Sequence, residues 1–202
     1  MSFRRLISWR RIAPLALAPV VLAALASSAS AHIGLHADGL GNGLAHPFLG
    51  LDHLLAMVAV GMWAAQLGRP AYWLLPATFP AVMAIGAAMG ANGIALPWVE
   101  LGIAGSVIVL GAVIALQIRP SLAASAGVIA AFALLHGHSH GTELPHAAAP
   151  LAYGAGFIAA TLALHAIGLA LGTASRAPAG LLATRAAGAA IAAAGVLLLA
   201  ST

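Results

Sequence analysis

Two short stretches carry most of the side chains in this sequence that could do chemistry. "HPFLGLDHLLAM" supplies His46, Asp52 and His53, and "LHGHSHGTE" supplies His136, His138, His140 and Glu143. Neutral imidazole with carboxylate is a donor set for Ni, Zn, Co or Cu(II), and the absence of cysteine removes thiolate ligands and disulfides alike. His136, His140 and Glu143 follow i, i+4, i+7 spacing, one helical face if a helix continues through the intervening glycines. On an ideal helix His46 and His53 share a face but sit about 10 Å apart along the axis. That is too far to hold one ion together unless His46, at a cap position before Pro47, swings inward. Asp52 and His53 point about 100° apart. Neither stretch makes a complete site by itself. If the helices that carry them are neighbours, the two together supply a full ligand set.

The elements that must position these residues are apolar. The chain of 202 residues is 62% hydrophobic and 6% charged, far below the roughly one quarter charged of a soluble domain, which places it in the membrane class. Residues 1–31 read as a signal peptide. Arg4, Arg5, Arg10 and Arg11 form a basic start, Ile12 to Ala26 an apolar stretch, and Ala29 to Ala31 a small-residue cleavage site. Ordinary Sec export is the simpler reading of the Arg-Arg pairs, and an uncleaved first helix is the alternative. Half of the eight arginines lie in this segment, so residues 32–202 hold four arginines against four acids. The basic pI belongs to the leader and makes no case for nucleic acid.

Residues 32–47 are Gly-rich and polar and predict an outer loop or arm. Apolar runs of about 20 residues at about 48–67, 71–90, 97–117, 121–137, 149–172 and 180–200 follow, each expected to be long enough to cross roughly 30 Å of hydrocarbon as a helix. The expected fold class is therefore all-α: a bundle of six transmembrane helices over residues 32–202, with no separate soluble domain. Leader cleavage puts the mature N-terminus and the C-terminus in the periplasm. Arg69, Arg119, Arg176 and Arg185 then all fall on the cytoplasmic side, as the positive-inside bias requires.

That topology sorts the histidines. His32, His36, His46, His53, His136, His138, His140 and His146 gather on the outer side, and His165 lies deeper, in the fifth run. A charged side chain at mid-membrane costs about 2.5–3.5 kcal/mol on insertion scales, so ionisable residues there mark function. His46, Asp52, His53, His136, His140 and Glu143 form the primary candidate set. His32, His36, Glu100, His138 and His165 are weaker candidates. His32 would chelate only as a new N-terminus, and His138 and His146 read as solvated loop residues. Glu100 serves equally as a helix N-terminal acid. His165 is a relay site or a partner of Thr161. Met57, Met62, Met83 and Met89 could serve Cu(I), but bundle methionines are more often packing.

With those residues in view, the sequence resembles the HupE/UreJ nickel and cobalt permeases. "HPFLGLDHLLAMVAVGMWA" matches that family's first histidine motif and "LHGHSHGTE" its second, with Leu135 and Ser139 as departures; "PWVELGIAGSVIVLG" and "GFIAATLALHAIG" are similar to two of its other helices. The resemblance implies import of Ni(II) or Co(II) across the bacterial inner membrane, the ion being cargo and no cofactor permanently bound. It carries the ligand roles to His46, Asp52, His53, His136, His140 and Glu143. Capture by neutral imidazole predicts that uptake falls as external pH drops below about 6.5. Two other classes stay open: an intramembrane zinc-dependent hydrolase, and a metal-binding accessory or sensor protein. The partners are the divalent ion and the lipid bilayer; no partner protein is identifiable, and homo-oligomerisation is left open.

Overall fold

The computed structural model describes residues 39–143 and 149–201, with Glu143 by its backbone alone. The expected leader, His32, His36 and His146 lie outside the described residues. Every described element is helical: α1 Gly39–Leu49, α2 Leu51–Leu67, α3 Ala71–Ala91, α4 Val99–Ala115, α5 Leu122–Glu143, α6 Pro150–Thr173 and α7 Pro178–Leu199, with a 3-10 turn at Ala174–Arg176.

Two elements differ from the sequence expectation. Gly39–Leu49 form α1, with residues 39–47 expected as part of a loop and 48–49 as the start of the first span, and α1 meets α2 at an 82° bend. Gly50 makes that corner in extended backbone. A short Gly-rich helix gains little from propensity, and α1 is held by packing instead. Gly43 lies directly against the backbone of Tyr153 and Phe157, and Gly156 against that of Leu40 and Leu44. The second difference is in α5, which continues past residue 137 to Glu143. Gly137 and Gly141, which read as breaks, are contact points where α5 lies on Met83 and Ala87 of α3.

The same device joins the other pairs. Gly86 and Gly90 of α3 lie against Leu134 and His138 of α5, Gly61 of α2 against His165 and Leu169 of α6, and Gly111 of α4 against Gly188 and Ala192 of α7. A Cβ at these glycines would strike a neighbouring backbone. Lipid supplies no hydrophobic drive between helices, so such close small-residue contacts set which helices pair. The dominant pairs are α3 with α5, α4 with α7, and α2 and α1 with α6.

Helix α2 is the hub. From Ala59 to Gln66 it is buried all round, as expected of a helix at the centre of a bundle. The outer helices expose Trp73, Leu151, Leu182 and Leu197, large apolar residues that a bilayer solvates. Helices α3, α5, α6 and α7 are each long and apolar enough to cross a membrane, and the bent pair α1–α2 makes a fifth candidate span. Helix α4 has 17 residues, about 26 Å at 1.5 Å per residue.

The two ends of the bundle differ in chemistry. At one end Arg69 and Pro120 line a common crevice, Arg176 donates to the Tyr72 hydroxyl, and Arg185 Nε donates to the Ala115 carbonyl at 2.9 Å. The histidines of α1, the start of α2 and the end of α5 lie toward the other.

Candidate metal centre

Three helices bring four imidazoles together. His46 comes from α1, His53 from the first turn of α2, and His136 and His140 from the last turns of α5. Ring centroids are 4.8 Å apart for His46 and His140, 4.4 Å for His53 and His140, and 4.8 Å for His53 and His136. His46 and His53 stand 6.2 Å apart. On one continuous helix they would be about 10 Å apart along the axis; the corner at Gly50 swings His46 inward. His53, His136 and His140 are buried, and His46 is half-buried.

Each of two rings has one nitrogen assigned by its neighbours. Asp52 Oδ1 lies 2.8 Å from His53 Nδ1 and also accepts from the His53 backbone N–H at 2.8 Å. An ionised carboxylate only accepts, so it fixes the ring proton on Nδ1 and leaves a lone pair on Nε2. That Nε2 is buried and has no hydrogen-bond partner. This is the carboxylate–histidine arrangement that orients metal-binding imidazoles. Gly50 is needed beside it, because a Cβ there would stand 2.8 Å from Asp52 Oδ1 and 3.0 Å from His53 Nδ1.

At His136 the orienting group is Ser106 of α4. The hydroxyl donates its single proton to the Ile103 carbonyl at 2.6 Å and lies 2.9 Å from His136 Nε2. It must therefore accept from Nε2–H, which leaves the lone pair on Nδ1. That atom too is buried without a hydrogen-bond partner. His53 and His136 are thus held in opposite tautomers, each keeping one basic nitrogen unused in a shared apolar enclosure.

Aromatic rings wall the cluster. Phe157 lies 4.3 Å from His140 and 5.8 Å from His46, Tyr153 lies 5.8 Å from His46, and Phe79 lies 5.7 Å from His136. Most of the imidazoles meet edge to face, as aromatic pairs prefer. Among the described residues, no three His, Asp or Glu side chains stand in a ligating arrangement. The donors are gathered in one place, while their nitrogens do not converge on a point.

The other candidates are placed elsewhere. His138 is buried, not solvated, and pairs through Nε2 with the Ile94 carbonyl at 2.7 Å, tying the α3–α4 connection to α5. Glu100 is exposed in the first turn of α4. His165 is buried in α6 and makes no hydrogen bond to Thr161. Met57, Met62 and Met83 are buried among core side chains. Sequence reasoning did not single out Ser106, Phe79, Tyr153 or Phe157. A serine and three aromatics in apolar helices carry no signal until the helix pairing is known.

A bundle of apolar helices, at least four of them long enough to cross a bilayer, defines a multi-pass membrane protein. Residues 20–198 match the HupE / UreJ protein family, and the chain belongs to that family. It is 51% identical over 176 residues to Protein HupE of Rhizobium leguminosarum bv. viciae, an alignment covering 87% of this chain and 92% of that protein. No solved structure matches. Membership in this nickel and cobalt transport family makes the chain a metal transporter and not an enzyme.

Proposed function

We propose that the chain imports Ni(II) or Co(II) from the periplasm across the inner membrane, with six spans, and that the histidine cluster is its entrance. The observation that carries this reading is the pair of buried lone pairs, His53 Nε2 and His136 Nδ1, set among four imidazoles from three helices. Lone pairs excluded from water without a proton donor are costly, and a divalent ion is the partner that suits them. His46 and His140 complete the ring set, Asp52 orients His53, and the motif spacing adds Glu143.

Rings that are gathered but not converged suit a cargo ion. A closed four-ligand cage would hold the ion, whereas conduction needs a site favourable enough to enter and weak enough to leave. Partial replacement of the water shell by two or three imidazoles meets both needs. The placement of the cluster on the periplasmic side rests on the arginines grouped at the opposite end, which the positive-inside bias assigns to the cytoplasm.

The test is accumulation of radioactive nickel and cobalt in cells lacking their own importers. Wild-type chain should accumulate metal above empty vector. His53→Ala and His140→Ala, at equal expression, should lose at least about tenfold of that uptake. Equal accumulation by all three proteins would refute the site. A stable bound ion without flux would favour an accessory or sensor role.

A further inference from the structure

Below the histidine cluster, a second set of polar groups is buried in α6. His165 is 1% exposed and Thr161 is fully buried, one helical turn apart on the same face. Neither ring nitrogen of His165, nor Thr161 Oγ1, has a hydrogen-bond partner. For Thr161 this is unusual within the molecule. Thr78, Thr142, Thr173 and Thr184 each donate to a carbonyl three or four residues earlier in the helix. Thr161 is the described threonine that does not.

A third donor comes from α3. Pro80 has no N–H, so the Pro76 carbonyl four residues earlier loses its partner within the helix. Phe79, about one turn further along α3, packs 5.4 Å from the His165 ring, which brings this turn of α3 against α6. One imidazole and one hydroxyl are therefore buried together, with a released carbonyl on the facing helix. Released carbonyls at membrane depth are tolerated where they line a path, and in transporters they coordinate ions.

Phe79 connects this place to the entrance. Its fully buried ring lies 5.7 Å from His136 on one side and 5.4 Å from His165 on the other. The order along the interior is thus the four-histidine cluster, Phe79, then His165 with Thr161.

We propose that His165, Thr161 and the Pro76 carbonyl form a second, inner station for the divalent cation, which an ion leaving the entrance reaches by passing Phe79. The station rests on the reading of the chain as a carrier of divalent ions. Its mixed nitrogen and oxygen donors hold a first-row divalent ion less tightly than an all-imidazole set, so an ion that reaches the station can leave it again.

The test uses the purified full chain in lipid vesicles, with Ni(II) or Co(II) alone as the probe. Initial uptake rates are measured against metal concentration, and Co(II) binding is followed by its absorption spectrum. Thr161→Val keeps the side-chain shape and removes the hydroxyl; His165→Leu removes the imidazole. Both should lower the maximal rate by at least about tenfold, with the half-saturating concentration and Co(II) binding at the entrance retained. Thr161→Ser should restore most of the rate.

Wild-type rates in both variants would overturn the inner station and leave the entrance standing. Loss of Co(II) binding together with no rescue by Thr161→Ser would also overturn it, by showing a packing role. A rise in half-saturating concentration alone would assign His165 to the entrance and end its separate role. Wild-type vesicles that take up no more metal than empty ones would refute transport itself, and the station with it.

Discussion

The histidine end and the arginine end of this bundle use polar side chains in opposite ways. At the arginine end, side-chain donors are spent on backbone carbonyls near the C-terminus of α4. Trp63 Nε1 donates to Ile118, Gln66 Nε2 and Gln117 Nε2 to Ile114, and Arg185 Nε to Ala115. That end is a clasp, closing the C-terminus of α4 against α2 and α7. At the histidine end, Asp52 and Ser106 each satisfy one ring nitrogen, and the second nitrogen of His53 and of His136 is left without a hydrogen bond. Gln66 Oε1 and Gln117 Oε1 are also left without hydrogen bonds, so the contrast lies in the donors: at one end they close the fold on itself, and at the other they hold two imidazoles with a basic nitrogen free for cargo.

Substitutions can break that contrast. After loss of a ring, the largest effect is expected from Asp52→Asn. An amide can hold either tautomer of His53, so Nε2 is no longer reserved as a lone pair. Uptake should fall about tenfold while the protein still folds, measured as initial nickel uptake beside thermal stability in detergent. Ser106→Ala should act less strongly. It strands the His136 Nε2–H and frees the ring to exchange tautomers, giving a several-fold loss of uptake and about 1–3 kcal/mol of destabilisation in unfolding measurements. The smallest effect belongs to the clasp. Arg185→Ala removes one exposed hydrogen bond, at most about 0.5 kcal/mol of stability, and should leave the concentration dependence of uptake unchanged. An uptake defect as large as that of Asp52→Asn would mean that the arginine end also contributes to ion handling.

Much of this was legible in the sequence. Apolar runs located α2 to α7 to within a few residues, apart from the C-terminal end of α5, because a membrane helix must satisfy its own backbone and announces its length. The i, i+4 spacing of His136 and His140 placed both rings on one face of α5. The corner at Gly50 was not legible. "GLGNGLAHP" reads as a loop by propensity, and only contact between Gly43 and α6 makes it a helix. The same holds for Gly137 and Gly141, which read locally as breaks and function as points of approach to α3. His138 read as solvated because its acceptor, the Ile94 carbonyl, lies 44 residues away. Ser106 and Phe79 took their roles from inter-helix register, which no single segment encodes. Local chemistry was visible, and tertiary placement was not.

The central claim is that histidines from α1, α2 and α5 meet on one ion. X-ray absorption at the nickel edge, on the vesicle-reconstituted chain loaded with Ni(II), reads the ligands directly. Wild-type protein should show imidazole scattering from two or more rings, and His46→Ala, His53→Ala and His140→Ala should each reduce it. Nickel surrounded by oxygen alone, or an imidazole signal unchanged by all three substitutions, would contradict the claim.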